Sequence, residues 1–179
     1  TVYPGMVGMM ENTFINTKNA SYTITAPVEL RDGNANGVII AQAGAFGGWS
    51  LYVKDGKVHH EYNYFGVERT NIGGATAIPA GKHVIRYEFI IDEAKPGSGG
   101  KCELYVDDQK VAEGHIPKTQ PYVFSADEGV DVGVDGETAV SMMIRKQSGT
   151  NTVEVVDRVL ARVERIQAAL PADIKIKPI

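Results

Sequence analysis

The feature that most constrains the fold is the stretch 37–65, in which apolar and β-branched residues alternate with polar ones around tight turns. Asp55-Gly56 lies between two of its alternating runs, and Asp-Gly supplies the positive φ angles that a two-residue hairpin turn requires. A high density of aromatic and β-branched residues is typical of the middle of a sheet. The sequence therefore predicts a sheet built around Trp49, with three successive strands at Val38–Gln42, Trp49–Val53 and Lys57–Phe65.

The rest of the first 137 residues continues this pattern. Tyr22–Leu30 alternates apolar and polar positions, and Pro27 within it predicts an edge strand or a bulge. Residues 1–20 and 66–81 are predicted to be mostly loop. Further strands are predicted at Lys82–Ile91, Cys102–Val106, Gln109–Ile116, Tyr122–Ser125 and Val130–Val134. About eight short strands separated by turn signals predict a mainly β fold, a sandwich or jelly roll.

The pattern changes near Glu137. Asn151-Thr-Val-Glu fits a helix capping box, and apolar residues then recur at helical spacing from Thr152 to Ala169, before Pro171. With strands predicted on either side of this helix, residues 138–179 are predicted to form a β-α-β appendage to a β-sandwich domain of residues 1–137. Because such a unit buries too little surface to be stable alone, it is expected to pack on the sandwich or pair with a second copy of the chain.

Charge and composition limit the partners. The net charge of −4 argues against nucleic acid or an anionic membrane surface as the main partner. No apolar run approaches the roughly 18 residues of a membrane span. The single cysteine, Cys102, excludes an internal disulfide. The chain is expected to bind neither nucleic acid nor membrane.

Several blocks of residues 1–137 resemble, in order, the C-terminal domain of large bacterial arylsulfatases. The blocks include Tyr3-Pro-Gly-Met, Gly47-Gly-Trp-Ser-Leu-Tyr-Val-Lys-Asp-Gly-Lys, Tyr62-Asn-Tyr-Phe-Gly-Val-Glu-Arg, Pro79-Ala-Gly-Lys-His-Val-Ile-Arg-Tyr-Glu-Phe and Phe124-Ser-Ala-Asp-Glu-Gly-Val-Asp-Val-Gly. The resemblance implies a concanavalin-like or laminin-G-like jelly roll that accompanies a sulfatase-type catalytic domain, which would be its partner.

The tail resembles a different family. Ala139-Val-Ser-Met-Met-Ile-Arg-Lys-Gln-Ser-Gly-Thr-Asn and Leu170-Pro-Ala-Asp-Ile-Lys-Ile are similar to a porter-domain segment of resistance-nodulation-division efflux transporters. Both families act outside the bacterial cytoplasm, so the resemblances imply a periplasmic or secreted protein.

No catalytic constellation is evident in the residues. Sulfatases carry a Cys/Ser-x-Pro-x-Arg motif, whereas Cys102 has neither proline nor arginine at that spacing and is predicted to be a small buried hydrophobe. The carboxylates Glu88, Asp92 and Glu93 lack the spacing of a glycosidase pair. The chain is therefore predicted to be a non-catalytic accessory domain and not an enzyme.

The alternative function is binding of glycans, including sulfated ones. The aromatic face of the strand 57–65, together with Trp49, could stack a sugar ring if it is open, and otherwise forms core. The candidate glycan-binding residues are Trp49, His60, Tyr62 and Tyr64.

Two groups of residues have side chains of the metal-ligating types. His59 and His60 are adjacent on a strand and point to opposite faces, so they cannot chelate one ion and are interpreted as partly exposed sheet residues. An acidic segment could supply oxygen ligands for calcium, although a solvated rim is the simpler interpretation. Its members are Asp127, Glu128, Asp131 and Asp135. No other cofactor is predicted.

Overall fold

The computed structural model describes residues 2–125 and 128–135. The chain divides into two units, Thr1–Ser141 and Met142–Ile179, and every described residue belongs to the first. The β-α-β appendage predicted for residues 138–179 lies outside the described residues. That appendage and the predicted boundary at residue 137 therefore stay predictions.

The described residues form antiparallel strands and one short 3-10 helix, Glu11–Thr13. The strands are β1 (Tyr22–Leu30), β2 (Gly37–Gly44), β3 (Gly47–Lys54), β4 (Lys57–Tyr64), β5 (Glu68–Gly73), β6 (Gly81–Ile91), β7 (Ser98–Val106), β8 (Gln109–Lys118) and β9 (Val130–Asp135).

The strands make two sheets that pack face to face. One sheet has the order β1-β6-β7-β8 and the other has the order β5-β4-β3-β2-β9. Apolar side chains from both sheets form a single buried cluster, with Leu51 and Val58 from the five-stranded sheet and Ile85 and Leu104 from the four-stranded sheet. The predicted β-sandwich is confirmed at this level of detail.

Strands with clean alternation have the predicted positions. β1 has the predicted bounds, every second residue of it is partly buried, and it is an edge strand, as Pro27 indicated. Two predictions are wrong. Glu68–Gly73 forms the edge strand β5, although the sequence predicted a loop. The sequence did not reveal this strand because Ile72 is its one buried side chain, which leaves its apolar pattern weak. Tyr122–Ser125 forms bends and pairs with no strand in the described part of the chain.

Three hairpin connections contain two successive residues with positive φ, as type I′ turns require. They are Asp55-Gly56 (φ 50° and 72°), Phe65-Gly66 (52° and 71°) and Asp107-Asp108 (49° and 64°). In the third turn both residues are non-glycine. Asp107 compensates through its side chain, which accepts hydrogen bonds from the backbone amide of Val84 (2.9 Å) and from His83 Nδ1 (2.7 Å).

This turn gives a first testable expectation. Replacing Asp108 with glycine is expected to raise the free energy of unfolding by about 0.5–1 kcal/mol, because glycine adopts positive φ without the Cβ penalty. The ion pair that Asp108 makes with Arg86 contributes little, because the Asp108 side chain is 92% exposed. Asp107→Gly is the matched control and is expected to lose stability with its two hydrogen bonds. Urea unfolding of both variants measures the difference, and equal effects would contradict the assignment.

The edge of the five-stranded sheet at β9 is covered by the N-terminal segment. The amides of Gly5 and Met9 donate to the carbonyls of Val132 (2.8 Å) and Val130 (3.1 Å). Covering an edge in this way protects it from pairing with another chain.

Candidate functional site

The aromatic residues predicted to bind a glycan lie mostly inside the sandwich. Trp49, His60 and Tyr62 are 3%, 0% and 3% exposed. The side chains of β4 that face this way are covered by the four-stranded sheet, since the ring of His60 stacks on that of Tyr87 with centroids 3.8 Å apart. These three side chains are core residues and present no ring to a ligand. The expectation that His60 is partly exposed is wrong for the same reason.

The polar atoms of Trp49 and Tyr62 form hydrogen bonds inside the protein. Trp49 Nε1 donates to Gln42 Oε1 (3.1 Å) and Thr17 Oγ1 (3.3 Å), and the Tyr62 hydroxyl accepts from the Gln120 amide (2.7 Å). Trp49 is thus the core anchor that the sequence also allowed.

Tyr64, the fourth candidate, is only half-buried. Its ring packs edge-on against Phe65 with centroids 4.8 Å apart, and Lys118 Nζ lies 4.6 Å from its centroid. Both contacts occupy surface of the Tyr64 ring on which a sugar would have to stack. Tyr64 stays the one accessible member of the predicted set.

The acidic segment is described in part. Asp127 lies outside the described residues, as does the side chain of Asp135. Glu128 Oε1 accepts from the Ala45 amide (3.3 Å), and Asp131 Oδ1 accepts from the Gly8 amide (2.7 Å). No group of three or more metal-ligating side chains occurs within the described ranges. Calcium binding at this segment therefore stays a prediction.

Cys102 is fully buried, as predicted. Burial raises the pKa of its thiol to about 11, so the reactive thiolate is scarce at neutral pH. Its sulfur lies 3.2 Å from the Tyr87 hydroxyl. A cavity whose lining includes Tyr22, Tyr62, Phe89 and Phe124 has a volume of about 10 Å³, about the space of one water molecule.

A cluster that the sequence did not single out lies on the outer face of the five-stranded sheet. Tyr52 on β3 is directly opposite His59 on β4, and their rings are parallel within 14° with centroids 5.3 Å apart. The His59 ring also covers Gly73 on β5, where a Cβ would lie 2.3 Å from Nδ1. Both rings are half-buried and open to solvent.

Polar side chains of β4 and β5 surround this ring pair. Asn71 Nδ2 donates to the Tyr52 hydroxyl (2.9 Å) and Glu61 Oε2 (3.4 Å), and Asn71 Oδ1 lies 3.2 Å from His59 Nδ1. Arg69 Nη1 donates to Glu61 Oε1 (3.1 Å), while its side chain is 60% exposed. We call Tyr52, His59, Glu61, Arg69 and Asn71 the outer-face cluster.

Strand period alone could have located part of this cluster. Tyr52 is out of phase with Trp49, Leu51 and Val53, so it must point outward if they point inward. Arg69 and Asn71 could not be found in this way, because β5 was predicted to be a loop.

A second surface lies at one end of the sandwich. Asn63 Nδ2 donates to the carbonyls of Gly44 (2.6 Å) and Ala45 (3.2 Å), and Asn63 Oδ1 accepts from the Gly66 amide (2.9 Å), which joins the β2–β3 and β4–β5 turns. The loop 119–125 adjoins them, since Gln120 Oε1 accepts from the Gly48 amide (3.1 Å). Five apolar side chains at this end are between 49% and 85% exposed. We call them the apolar end: Phe46, Phe65, Val67, Tyr122 and Val123.

Among the described residues, no helix has the length and apolar character needed to cross a membrane. No family model matches this sequence, and no curated protein matches it either.

Proposed function

We propose that residues 1–137 form a non-catalytic accessory domain of jelly-roll type in an arylsulfatase-like protein. In this proposal the apolar end contacts the sulfatase-type catalytic domain of that protein, and the sandwich braces or shapes it. The observation that carries the proposal is that five of the eleven exposed large apolar side chains of the described residues lie together at this end. Aromatic residues are enriched where proteins meet.

The apolar end is held in a fixed shape, which suits a docking surface. Its loop 119–125 is attached on one side by Asn19 Nδ2, which donates to the Pro121 carbonyl (2.7 Å). On the other side, Glu11 Oε2 accepts from the Phe124 amide (2.9 Å), and Glu11 also pairs with the largely buried Lys18. A surface that needs little ordering loses less free energy when it binds.

Phe65 adds a second argument. It has φ of 52° and is 49% exposed, although a left-handed conformation costs a non-glycine residue about 1–2 kcal/mol. Asparagine or glycine would fit this turn better. A strained, exposed aromatic residue is a marker of function rather than of stability.

A binding experiment with matched variants tests the proposal. The chain is mixed with a bacterial arylsulfatase catalytic domain that lacks its own C-terminal domain, and the dissociation constant is measured. Phe46→Ser with Val67→Ser is expected to weaken binding at least about tenfold, because exposed apolar anchors dominate such interfaces. Val84→Ser with Ile90→Ser is the control, since these apolar residues are also exposed (42% and 47%) but lie on the outer face of the four-stranded sheet.

Equal weakening by both pairs, or no complex, would contradict docking through the apolar end. Turnover of an aryl sulfate by the chain alone, above a heat-denatured control, would contradict the non-catalytic assignment. The remaining elements of the proposal concern the whole protein: a periplasmic or secreted location, and a porter-like segment at 138–179 that pairs with a second copy or packs on the sandwich.

Carbohydrate binding is the second candidate function. Three of its four candidate residues, Trp49, His60 and Tyr62, are enclosed and do not support it, while Tyr64 is half-buried. The observation that favours it is the outer-face cluster, where two half-buried rings lie beside a carboxylate, an amide and a guanidinium group. Such sets of ring faces and convergent polar groups suit ligands that are both apolar and hydroxylated.

A further inference from the structure

Two lysines extend the outer-face cluster along the β3–β4 hairpin. Lys54 and Lys57 are directly opposite each other, two residues beyond Tyr52 and His59 on the same strands. They therefore lie on the same outer face, about 7 Å along the strands from the ring pair.

These lysines are charged without compensation. Like charges directly opposite each other repel and destabilise a strand pair. Within residues 2–125 and 128–133, no carboxylate forms an ion pair with either ammonium group. One anion placed between the two ammonium groups would offset this repulsion.

The outer face of the other sheet shows the contrast. There Lys101 pairs with Glu103 (2.8 Å) and Lys110 pairs with Glu113 (2.7 Å), so the positive charges are matched. The one ring in that group, Tyr105, is covered by the Arg86 guanidinium at 4.0 Å from its centroid. Open rings beside unmatched lysines occur together on the five-stranded sheet.

We propose that this face binds an anionic polysaccharide. The C–H face of one sugar ring packs on Tyr52 and His59, and its hydroxyl groups exchange hydrogen bonds with the polar members of the outer-face cluster. The sulfate or carboxylate of the next sugar is held between Lys54 and Lys57. An open sheet face of this kind suits a length of polymer better than a single small sugar. The inference rests on the second candidate function, and it shares no residue with the apolar end.

Isothermal titration of the whole chain with defined polymers tests the inference. A sulfated galactan and polygalacturonate present sulfate and carboxylate, and the chemically desulfated galactan is the neutral counterpart. We expect the chain to bind at least one anionic polymer at least about tenfold more tightly than the neutral one. The preferred anionic polymer identifies whether sulfate or carboxylate is the recognised group.

Variants separate the two contributions. Lys54→Gln with Lys57→Gln is expected to weaken anionic binding at least about tenfold, whereas Lys101→Gln with Lys110→Gln removes the same charge elsewhere and is expected to change it less than about twofold. Tyr52→Ala is expected to weaken binding at least about tenfold, and Tyr52→Phe, which keeps the ring, less than about threefold. Thermal unfolding of each variant confirms that it is folded.

Each contrary outcome has its own meaning. Equal affinity for the desulfated galactan would overturn the anionic specificity and leave carbohydrate binding in place. Equally tight binding of inorganic polyphosphate, unaffected by Tyr52→Ala, would overturn the inference in favour of a general polyanion surface. Failure to bind every polymer would overturn both the inference and the second candidate function.

Discussion

Replacing Trp49 with alanine is expected to lower the free energy of unfolding by about 3–5 kcal/mol, the usual cost of removing a large buried aromatic side chain. The indole is 3% exposed and lies between the sheets, with its ring 6.1 Å from that of His60 and 6.1 Å from that of Tyr22. Its removal also leaves Gln42 Oε1 without the donor at 3.1 Å, and the Nε2 atom of Gln42 has no partner in the described part of the chain. An enclosed amide with fewer partners adds to the loss.

Trp49→Phe is the matched control. It keeps most of the ring and removes the N–H donor, so a loss of about 1–2 kcal/mol is expected. Because Trp49 is the single tryptophan of the sequence, urea unfolding must be followed by circular dichroism rather than by indole fluorescence. A loss below about 2 kcal/mol for Trp49→Ala would show that the surrounding sheet does not depend on this side chain.

The strands that could be predicted are those whose environment differs on the two sides. In β1 and β6 apolar and polar residues alternate, because one face of each strand meets the core and the other meets water. β5 is an edge strand with Ile72 as its one buried side chain, so its pairing with β4 depends on β4 rather than on its own pattern. The position of such a strand is determined by the strand it pairs with, so its own sequence does not reveal it.

The site was harder to predict than the fold, for a related reason. Alternation shows that Val58, His60 and Tyr62 share one face of β4 and that His59 and Glu61 share the other, but it does not show which face a second sheet will cover. A histidine and a tyrosine on the first face made it a reasonable ligand platform. The four-stranded sheet covers that face, so the open rings are those of Tyr52 and His59 on the opposite side. Cross-strand neighbours such as Asn71 become visible only when the register is known.

His60 is expected to make the fold sensitive to acid. Its side chain is fully buried, is stacked on Tyr87, and has no hydrogen-bond partner for either ring nitrogen among the described residues. Burial lowers the pKa of the imidazole from 6.5 to about 3. The charged form is disfavoured in this apolar environment, so the folded protein keeps His60 neutral where the unfolded chain would protonate it.

The folded protein and the unfolded chain bind different numbers of protons at His60, and this difference decides how stability changes with pH. Between pH 6.5 and about 3 the unfolded chain holds more protons at His60 than the folded protein does. Above pH 6.5 His60 is neutral in both states and adds no pH dependence, whereas from about pH 6 down to about pH 3 the free energy of unfolding falls by about 1.4 kcal/mol for each pH unit. The depressed pKa values of Glu103 and Glu113 act in the same direction, and this loss begins as the pH approaches their ordinary value of 4.5. A variant that changes only His60 keeps both carboxylates, so comparison with it removes their share of the loss.

His60→Phe is the decisive variant, because it keeps a flat ring between the sheets and cannot be protonated. At pH 7.5 its free energy of unfolding is expected to equal or exceed that of the wild type, since two unpaired nitrogens are removed. Between pH 6 and 4.5 the wild type is expected to lose about 2 kcal/mol more than the variant, measured by urea unfolding at each pH. His59→Phe, on the opposite face of the same strand, controls for the substitution itself and is expected to keep the acid loss of the wild type. Parallel pH profiles for wild type and His60→Phe would contradict this prediction. They would mean that the protonated imidazolium of His60 finds a hydrogen-bond acceptor in the folded protein, which its enclosure by Tyr87 and Trp49 argues against.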